Sequence, residues 1–208
     1  MPEGDAEPAR EPRIAAVVLA AGASRRLGEP KQLIQVAGES LLRRSARLAL
    51  EAKCAAVFVV LGFEAERLRG ELDGRPVEVV VNTEWAEGMG SSLRCGVRSA
   101  SESRPKVDGV LVMVCDQPLL TVEHLRRLLQ AHRHRQGGGR ITASAYAGRA
   151  GVPAVFAAEI FPELEAVQGD RGAREVLERE HGRVETVDWP EGIVDVDLPQ
   201  HVPGRSKG

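Results

Sequence analysis

The sequence predicts one α/β domain in which helices cover both faces of a mostly parallel β-sheet. Short apolar runs rich in β-branched residues alternate with longer segments of helical periodicity, which is the pattern of parallel strands joined by crossover helices. These runs are almost continuously apolar, as expected of strands that are buried on both faces. A chain of 208 residues has the length of one domain with a substantial core. We therefore expect a three-layer sandwich, with ligands beyond the carboxyl ends of the strands.

Eight strands and five helices account for this alternation. The predicted strands span residues 14–20, 56–61, 77–81, 109–114, 141–145, 154–157, 183–187 and 193–196. The predicted helices span residues 40–52, 64–72, 91–100, 121–134 and 172–180. Ser40 and Thr121 are the expected N-caps, because a hydroxyl oxygen can accept a hydrogen bond from a free N–H group of the first turn.

The regions outside residues 14–202 are expected to be disordered tails, because residues 1–13 and 203–208 carry too little apolar surface to offset the entropy of ordering them. The first apolar run is too short to cross a bilayer, and acidic residues precede it in place of the basic region of a secretory signal. A formal net charge of −2 argues against nucleic acid or an anionic membrane as a partner. Three widely spaced cysteines without a CxxC pair indicate reduced thiols and a cytoplasmic protein.

The loop after the first strand, LAAGASRRLGEPKQ at residues 19–32, combines small residues with basic ones. Backbone N–H groups near Gly22 can approach phosphate oxygens closely, and Arg25, Arg26 and Lys31 add positive charge. The loop is neither a Walker A loop nor a GxGxxG dinucleotide fingerprint. Taken alone, it is equally compatible with a plain strand-to-helix turn that carries solvated basic residues.

This loop resembles the LAAGxSxRxGxPKQ signature of the MobA- and MocA-like nucleotidyltransferases. The resemblance implies a Rossmann-like, GT-A-like nucleotidyltransferase sandwich with a mixed, mostly parallel sheet. It also implies that the loop wraps the triphosphate of a nucleoside triphosphate, with Arg26 and Lys31 as catalytic cations. The presence of Ala21, where other members have Gly, is similar to the CTP-using branch. The loop residues that the resemblance assigns to the nucleotide are Leu19, Ala20, Ala21, Gly22, Ser24, Arg26 and Lys31.

An acid follows the fourth predicted strand in the sequence Cys115-Asp116-Gln117-Pro118. Carboxylate oxygens are typical Mg²⁺ ligands, although Asp is also a preferred turn residue. The CDQP sequence resembles the metal-binding motif of the same family. The resemblance makes Asp116 a catalytic metal ligand and Gln117 a candidate contact for the acceptor.

A second acid is expected from the sequence VDVDLP at residues 194–199, where alternation places Asp195 and Asp197 on one face. The segment resembles the family's DIDTP sequence, with Leu198 in place of Thr. Asp197, which directly precedes the xP step, is the predicted second ligand of Mg²⁺. Asp195 remains the alternative ligand, and both acids could instead be exposed on an edge strand.

The segment from Asn82 to Leu93 resembles the family's NxxWxxGMxxSL motif, which implies that Asn82, Gly88 and Ser92 contact the nucleotide. From the residues alone, Ser91 or Ser92 could simply cap a helix, and Trp85 could be a core or lid aromatic residue.

Two shorter segments, at residues 151–156 and 169–174, resemble the family's GxPxxF and GDxGxR elements and place Asp170 and Arg174 on the acceptor side. Alternatively, Asp170 caps a helix and Arg174 is solvated. No zinc-site spacing involves the histidines. We expect all five to be surface residues, namely His124, His132, His134, His181 and His201.

The resemblance implies Mg²⁺-dependent transfer of a nucleotidyl group, with CMP from CTP favoured, to a phosphorylated small-molecule acceptor such as molybdopterin. A molybdoenzyme or its chaperone is the candidate protein partner. Alternatives of the same fold are guanylyl, sugar-phosphate and methylerythritol-phosphate transferases. A non-catalytic carrier of the molybdenum cofactor and a nicotinamide-binding redox domain are further alternatives, although the missing GxGxxG motif counts against the last.

Overall fold

The computed structural model describes residues 10–24, 27–134 and 140–195. The strands in these ranges are β1 (Ile14–Leu19), β2 (Gln35–Val36), β3 (Glu39–Ser40), β4 (Val57–Leu61), β5 (Glu78–Val81), β6 (Gly109–Val114), β7 (Ile141–Tyr146), β8 (Arg149–Ala157) and β9 (Val184–Asp188). The helices are α1 (Leu41–Glu51), α2 (Ala65–Arg69), α3 (Met89–Glu102), α4 (Val122–Arg133), α5 (Phe161–Glu165) and α6 (Ala173–Arg179). No helix in this part of the chain has both the length and the apolar character needed to cross a membrane.

Seven strands form one sheet in the order β5-β4-β1-β6-β8-β7-β9. Every neighbouring pair is parallel except the two that involve β8, which runs antiparallel to β6 and to β7. The predicted mixed, mostly parallel sheet is therefore confirmed. Because only β8 is reversed, its amino end lies at the same edge as the carboxyl ends of the other six strands.

Each face of the sheet has its own apolar core, because successive strand residues point to opposite sides. In β1, Ala16 and Val18 pack with α1, α2 and α4, whereas Ala15 and Val17 pack with α3, α5 and α6. All four of these side chains are fully buried. Burial of a valine side chain contributes about 1.5–3 kcal/mol to stability. Strands buried on both sides explain the continuous apolar runs and produce the three layers.

Both predicted N-caps are confirmed. The Ser40 hydroxyl accepts a hydrogen bond from the Arg43 N–H, and the Thr121 hydroxyl accepts one from the His124 N–H, each at 3.2 Å. Helix α3 begins earlier than predicted, at Met89 with Gly88 as its N-cap. The alternative in which Ser91 or Ser92 caps this helix is therefore wrong, because both residues lie inside its first turn.

The predicted last strand, residues 193–196, is wrong in the part that the structure describes. Pro190–Ile193 forms a 3₁₀ turn, and Val194 and Asp195 belong to no strand. The turn packs tightly, because a Cβ on Gly192 would lie 2.5 Å from the rings of both Tyr146 and Trp189. The sequence also gave no indication of the β2–β3 ribbon or of α5.

The predicted tails fall largely outside the described residues, which leave out 1–9 and 196–208. Residues 10–13 are described and contact Asp108. The Arg10 guanidinium lies 2.9 Å from the Asp108 carboxylate, and the Arg13 N–H donates to the same carboxylate at 2.6 Å. This contact holds the segment that leads into β1.

Candidate active site

A lysine and an aspartate meet at the carboxyl edge of the two central strands. Leu19 at the end of β1 is the register partner of Val114 at the end of β6, so the segments that follow these strands lie side by side. The Lys31 ammonium is 2.5 Å from the Asp116 carboxylate, and their side chains are only 21% and 16% exposed. The structure therefore joins two of the predicted site residues directly. The predicted residue Arg26, and its neighbour Arg25, lie outside the described residues.

Gln32 holds the loop that carries Lys31. Its fully buried side-chain amide donates to the backbone oxygens of Ala20 and Gly22, both at 2.8 Å. The Ser24 hydroxyl accepts a hydrogen bond from the Lys31 N–H at 3.0 Å. These bonds fold Lys31 and Gln32 back over the end of β1, so Lys31 points toward Asp116. Ser24 was predicted to bind nucleotide, and the structure places it as a brace within the loop.

A cavity of about 440 Å³ opens beside this loop, and we call it the loop cavity. Small residues at positions 20–23 form part of its wall, and among the described residues its charged side chains are Lys31, Asp116 and Asp170. Its lining comprises Leu19, Ala20, Ala21, Gly22, Ala23, Lys31, Gln32, Trp85, Ala86, Gly88, Met89, Ser92, Val114, Cys115, Asp116 and Asp170.

The first turn of α3 forms the opposite wall of the loop cavity. Ser92 lines the cavity, whereas Asn82 is buried behind it and donates to the hydroxyls of Ser91 and Ser92 at 2.9 and 3.0 Å. Asn82 therefore positions this turn, although it was predicted to contact the nucleotide. Gly88 lines the cavity with a φ of +112°, and a Cβ there would lie 2.7 Å from the backbone of Gly169. Only glycine fits this position.

A second cavity of about 430 Å³ lies beside the hairpin formed by β7 and β8, and we call it the hairpin cavity. It shares Leu19, Met89, Val114, Asp116 and Asp170 with the loop cavity. Its other lining residues are Gln117, Tyr146, Arg149, Ala150, Gly151, Val152, Arg171, Ala173, Arg174, Gly192, Ile193 and Asp195.

The structure brings all three predicted acceptor-side residues, Gln117, Asp170 and Arg174, to the hairpin cavity. Sequence reasoning missed Tyr146 and Arg149, which stand on either side of the hairpin turn. The reversed direction of β8 places this turn at the active edge of the sheet. An alternating strand pattern on both sides of Ala147-Gly148 could have indicated a hairpin, but not the edge to which it belongs.

An aromatic stack supports the hairpin cavity from below. Trp189 stacks on His124 with ring centroids 4.8 Å apart, and it meets the edge of Tyr146 at 5.9 Å. The Tyr146 hydroxyl donates to the Val152 oxygen at 3.0 Å. Burial raises the pKa of Tyr146, and the negative charges of Asp116 and Asp195 raise it further, while Arg149 lowers it. Tyr146 therefore stays neutral and lies within electrostatic reach of both acids.

Two of the five histidines are not surface residues, and the prediction is wrong for them. His124 and His132 are 2% and 3% exposed, because they lie on the side of α4 that faces the sheet. The His124 Nε2 lies 2.8 Å from the Ser144 hydroxyl, which itself donates to the Pro153 oxygen. Because the Ser144 hydroxyl already donates its proton to Pro153, it must accept from His124. His124 Nε2 therefore carries a proton and donates it to the Ser144 hydroxyl. Burial, with a smaller effect of Arg127, lowers the pKa of His124 to about 4.

The acids at this edge suit a divalent cation that takes few protein ligands. Asp195 lines the hairpin cavity together with Asp116, whereas Asp197 lies outside the described residues. Within the ranges that the structure describes, no group of three or more His, Cys, Asp or Glu residues could hold a metal ion. Mg²⁺ commonly uses one or two carboxylates together with phosphate oxygens and water. Burial raises the pKa of neighbouring Cys115 to about 12, so this thiol stays protonated.

Comparison with known proteins adds independent findings. Residues 16–184 match the model of the MobA-like NTP transferase domain. Over 196 residues the chain is 36% identical to the protein named nicotine blue oxidoreductase of Paenarthrobacter nicotinovorans, with 90% of this chain and 92% of that protein covered. Over 203 residues it is 29% identical to the purine catabolism protein PucB of Bacillus subtilis, with coverage of 88% and 95%.

Solved structures of similar sequence share the fold. The structure of Rv0371c from Mycobacterium tuberculosis in complex with manganese is 28% identical, with a TM-score of 0.72 and coverage of 91% of this chain and 95% of that one. A nucleotidyl transferase from Methanothermobacter thermautotroptrophicus is 26% identical, with a TM-score of 0.76 and coverage of 91% and 94%.

Proposed function

This chain is a nucleotidyltransferase of the MobA-like NTP transferase family, and from that premise we propose that it transfers CMP from CTP to a phosphorylated acceptor such as molybdopterin. The proposed reaction depends on Mg²⁺, releases pyrophosphate and takes place in the cytoplasm. A molybdoenzyme or its chaperone would receive the product.

One observation carries this proposal: the loop cavity and the hairpin cavity meet at Asp116, and Lys31 contacts that acid. A triphosphate in the first cavity and an acceptor phosphate in the second would approach each other at the shared wall. Holding two reactants in this way removes much of the entropy cost of their encounter.

The residues of the chain suit charge stabilisation more than proton transfer. Lys31 and the backbone of residues 20–24 would hold the phosphates that leave as pyrophosphate. A bound Mg²⁺ would screen the α-phosphate from the incoming anion, with Asp116 and either Asp197 or Asp195 as its protein ligands. An acceptor that is already an ionised phosphate needs no general base. His124 fits this picture, because it is neutral and lines neither cavity.

The lining of each cavity supports the choice of substrate. The Ala21 methyl group is buried in the wall of the loop cavity and takes space that glycine would leave, which favours the smaller base of CTP over guanine. Arg149, Arg171 and Arg174 surround the hairpin cavity and favour an anionic acceptor. A manganese complex of a solved relative supports a divalent metal.

The experiment is incubation with each of the four labelled nucleoside triphosphates and molybdopterin, with pyrophosphate release as the readout. We expect CTP to give the highest rate, and Asp116→Ala to lower that rate by about 10³, the effect of removing a group that stabilises transition-state charge. Asp73→Ala, which removes an exposed acid elsewhere, is the matched control. A rate that is unchanged by Asp116→Ala would overturn the proposed role of this acid.

A redox role is the second candidate, because a relative of 36% identity carries the name nicotine blue oxidoreductase. The loop cavity that would hold a triphosphate could also hold the pyrophosphate of a nicotinamide dinucleotide. Substrate-dependent oxidation of NADH or NADPH, without pyrophosphate release from any nucleoside triphosphate, would favour this role. Retained binding of molybdenum cofactor with neither reaction would instead indicate a carrier.

A further inference from the structure

Lys31 holds Asp116 in an ion pair, and we propose that this ion pair makes nucleotide binding precede metal binding. Lys31 thus closes the metal site until a triphosphate draws its ammonium away. The inference rests on the proposed function in one respect, namely that Asp116 is the metal-binding acid.

The geometry of the pair distinguishes it from an ordinary surface ion pair. The ammonium and carboxylate are 2.5 Å apart, and both side chains are largely shielded from water. The backbone of Lys31 is fixed by the Ser24 hydroxyl, and the loop before it is fixed by Gln32. An exposed pair gains little because two long side chains must be ordered to form it. Here one end is already held in place, so less entropy is lost.

The two residues of the pair occupy different positions relative to the cavities. Of the two cavities, Lys31 lines the loop cavity but not the hairpin cavity, whereas Asp116 lines both. The ammonium therefore reaches Asp116 from the side where a triphosphate would lie. A triphosphate in the loop cavity would therefore lie against both members of the ion pair.

Charge then fixes the order of binding. An ammonium and a divalent cation a few ångströms apart repel each other, and both require the same carboxylate. Metal binding to Asp116 must therefore displace Lys31. A triphosphate offers Lys31 several negative charges, so Asp116 is released as phosphate oxygens become available as additional metal ligands.

Binding couplings of this kind are reciprocal. If Lys31 and Asp116 neutralise each other, removing the lysine charge should tighten metal binding. Removing the aspartate charge should tighten triphosphate binding in the absence of metal. A lysine that serves only to bind phosphate would show the first effect weakly, and it would show the second only to the extent that Asp116 itself repels the triphosphate.

The first measurement is Mn²⁺ binding to the nucleotide-free protein, followed by electron paramagnetic resonance of the free ion. We expect Lys31→Met to tighten Mn²⁺ binding by about tenfold, since a hydrogen bond between charged groups is worth about 1.5–3 kcal/mol. Lys106→Met is the matched control for net charge, because Lys106 precedes β6 and lies at the opposite end of that strand from Asp116. The control should leave Mn²⁺ affinity unchanged.

The second measurement is binding of CTP and of inorganic tripolyphosphate in EDTA by calorimetry. Asp116→Asn should tighten both by about fivefold to tenfold, because Lys31 no longer has a competing carboxylate. Asp73→Asn removes one negative charge at a distance and should change neither affinity. Circular dichroism melting of each variant separates these effects from loss of fold.

The outcomes separate this inference from the proposed function. If Lys31→Met leaves Mn²⁺ affinity unchanged and Asp116→Asn abolishes Mn²⁺ binding, the ordered-binding proposal is wrong and the metal role of Asp116 stands. If Asp116→Asn leaves Mn²⁺ binding intact in the Lys31→Met background, the metal role itself fails. Tighter Mn²⁺ binding in Lys31→Met together with tighter tripolyphosphate binding in Asp116→Asn supports the proposal.

Discussion

The loop cavity and the hairpin cavity have nearly equal volumes, about 440 and 430 Å³, but the chain builds them in different ways. In the loop cavity, the wall formed by residues 20–23 consists of backbone and small side chains, and Lys31 is the basic residue in the described part of the chain. The hairpin cavity is lined by several long polar side chains, including Tyr146, Arg149 and Arg174. The backbone path of residues 20–23 therefore shapes part of the loop cavity, whereas side chains that project from the backbone shape much of the hairpin cavity.

This difference explains why a single fold can keep one substrate and change the other. A cavity built from backbone requires small residues at fixed positions, because any larger side chain would fill the space or move the chain. A cavity built from projecting side chains can change its chemistry by substitution without moving a strand. We therefore expect nucleotide binding to depend on the fold, and acceptor choice to depend on a few side chains.

Acidification tests whether the hairpin cavity depends on its aromatic support. The pKa of His124 is lowered from 6.5 to about 4 by burial, so the folded chain favours the neutral ring. The contribution of neutral His124 to the free energy of unfolding is fully present above about pH 6.5 and is lost as the pH falls toward 4. Between about pH 7.5 and about pH 5, His124 should reduce the free energy of unfolding by at most about 2 kcal/mol.

Urea unfolding of the wild-type protein and of His124→Gln measures this contribution. Glutamine can donate to Ser144 but does not titrate, so the stability difference between the two proteins should shrink at acid pH. His181→Gln, at an exposed position, is the control. A stability difference that stays constant with pH would show that His124 does not titrate in this range. It would contradict the pH-dependent stability that we attribute to His124.

Substitution of Arg149 tests whether acceptor recognition is confined to side chains. Arg171 and Arg174 are both bonded to Glu178, whereas Arg149 makes no ion pair within the described residues. Arg149→Gln should raise the acceptor KM by about tenfold, or about 1.4 kcal/mol, for one charged hydrogen bond. The CTP KM should not change. Arg98→Gln on the outer side of α3 is the control, and an equal rise of both KM values would contradict the division between the cavities.

The difference between the two cavities also explains how much of each could be predicted from the sequence. The loop cavity was predictable because residues 19–32 and 82–93 resemble the family's motifs, and the structure shows that close backbone approach requires glycine at Gly88. Asp116 was predictable because the CDQP sequence that follows a buried strand resembles the family's metal-binding motif. The structure brings these residues to one edge because β1 and β6 are adjacent and parallel.

The hairpin cavity was only partly predictable, because its composition depends on tertiary placement. Nothing local to Tyr146 or Arg149 shows that β8 is reversed and that their turn therefore lies beside Asp116. His124 and His132 read as surface residues because sequence alone does not show the buried hydroxyls of Ser144 and Thr142 that accompany them. The strand predicted at residues 193–196 is wrong in its described part, residues 193–195, because packing on Trp189, not alternation, sets the path near Gly192.

Substitution of Ser92 gives the smallest expected effect. It complements the Arg149 test, because it should change the CTP KM and leave the acceptor KM unchanged. Ser92 lines the loop cavity, and its hydroxyl accepts a hydrogen bond from Asn82 at 3.0 Å. Ser92→Ala should raise the CTP KM by about fivefold, the value of one neutral hydrogen bond of about 1 kcal/mol. The acceptor KM should not change. Asn82 keeps its bond to Ser91, so the first turn of α3 should stay in place and the melting temperature should change little.

Ser99→Ala removes a hydroxyl from the same helix that bonds only to the Cys95 oxygen, and it should leave both KM values unchanged. The pair of results decides between two views of the loop cavity. A fivefold effect at Ser92 means that one side chain adds modestly to a cavity held mainly by backbone. If Ser92→Ala instead lowered the rate of pyrophosphate release as much as Asp116→Ala, side chains would dominate nucleotide binding as well. The contrast between the two cavities would then disappear.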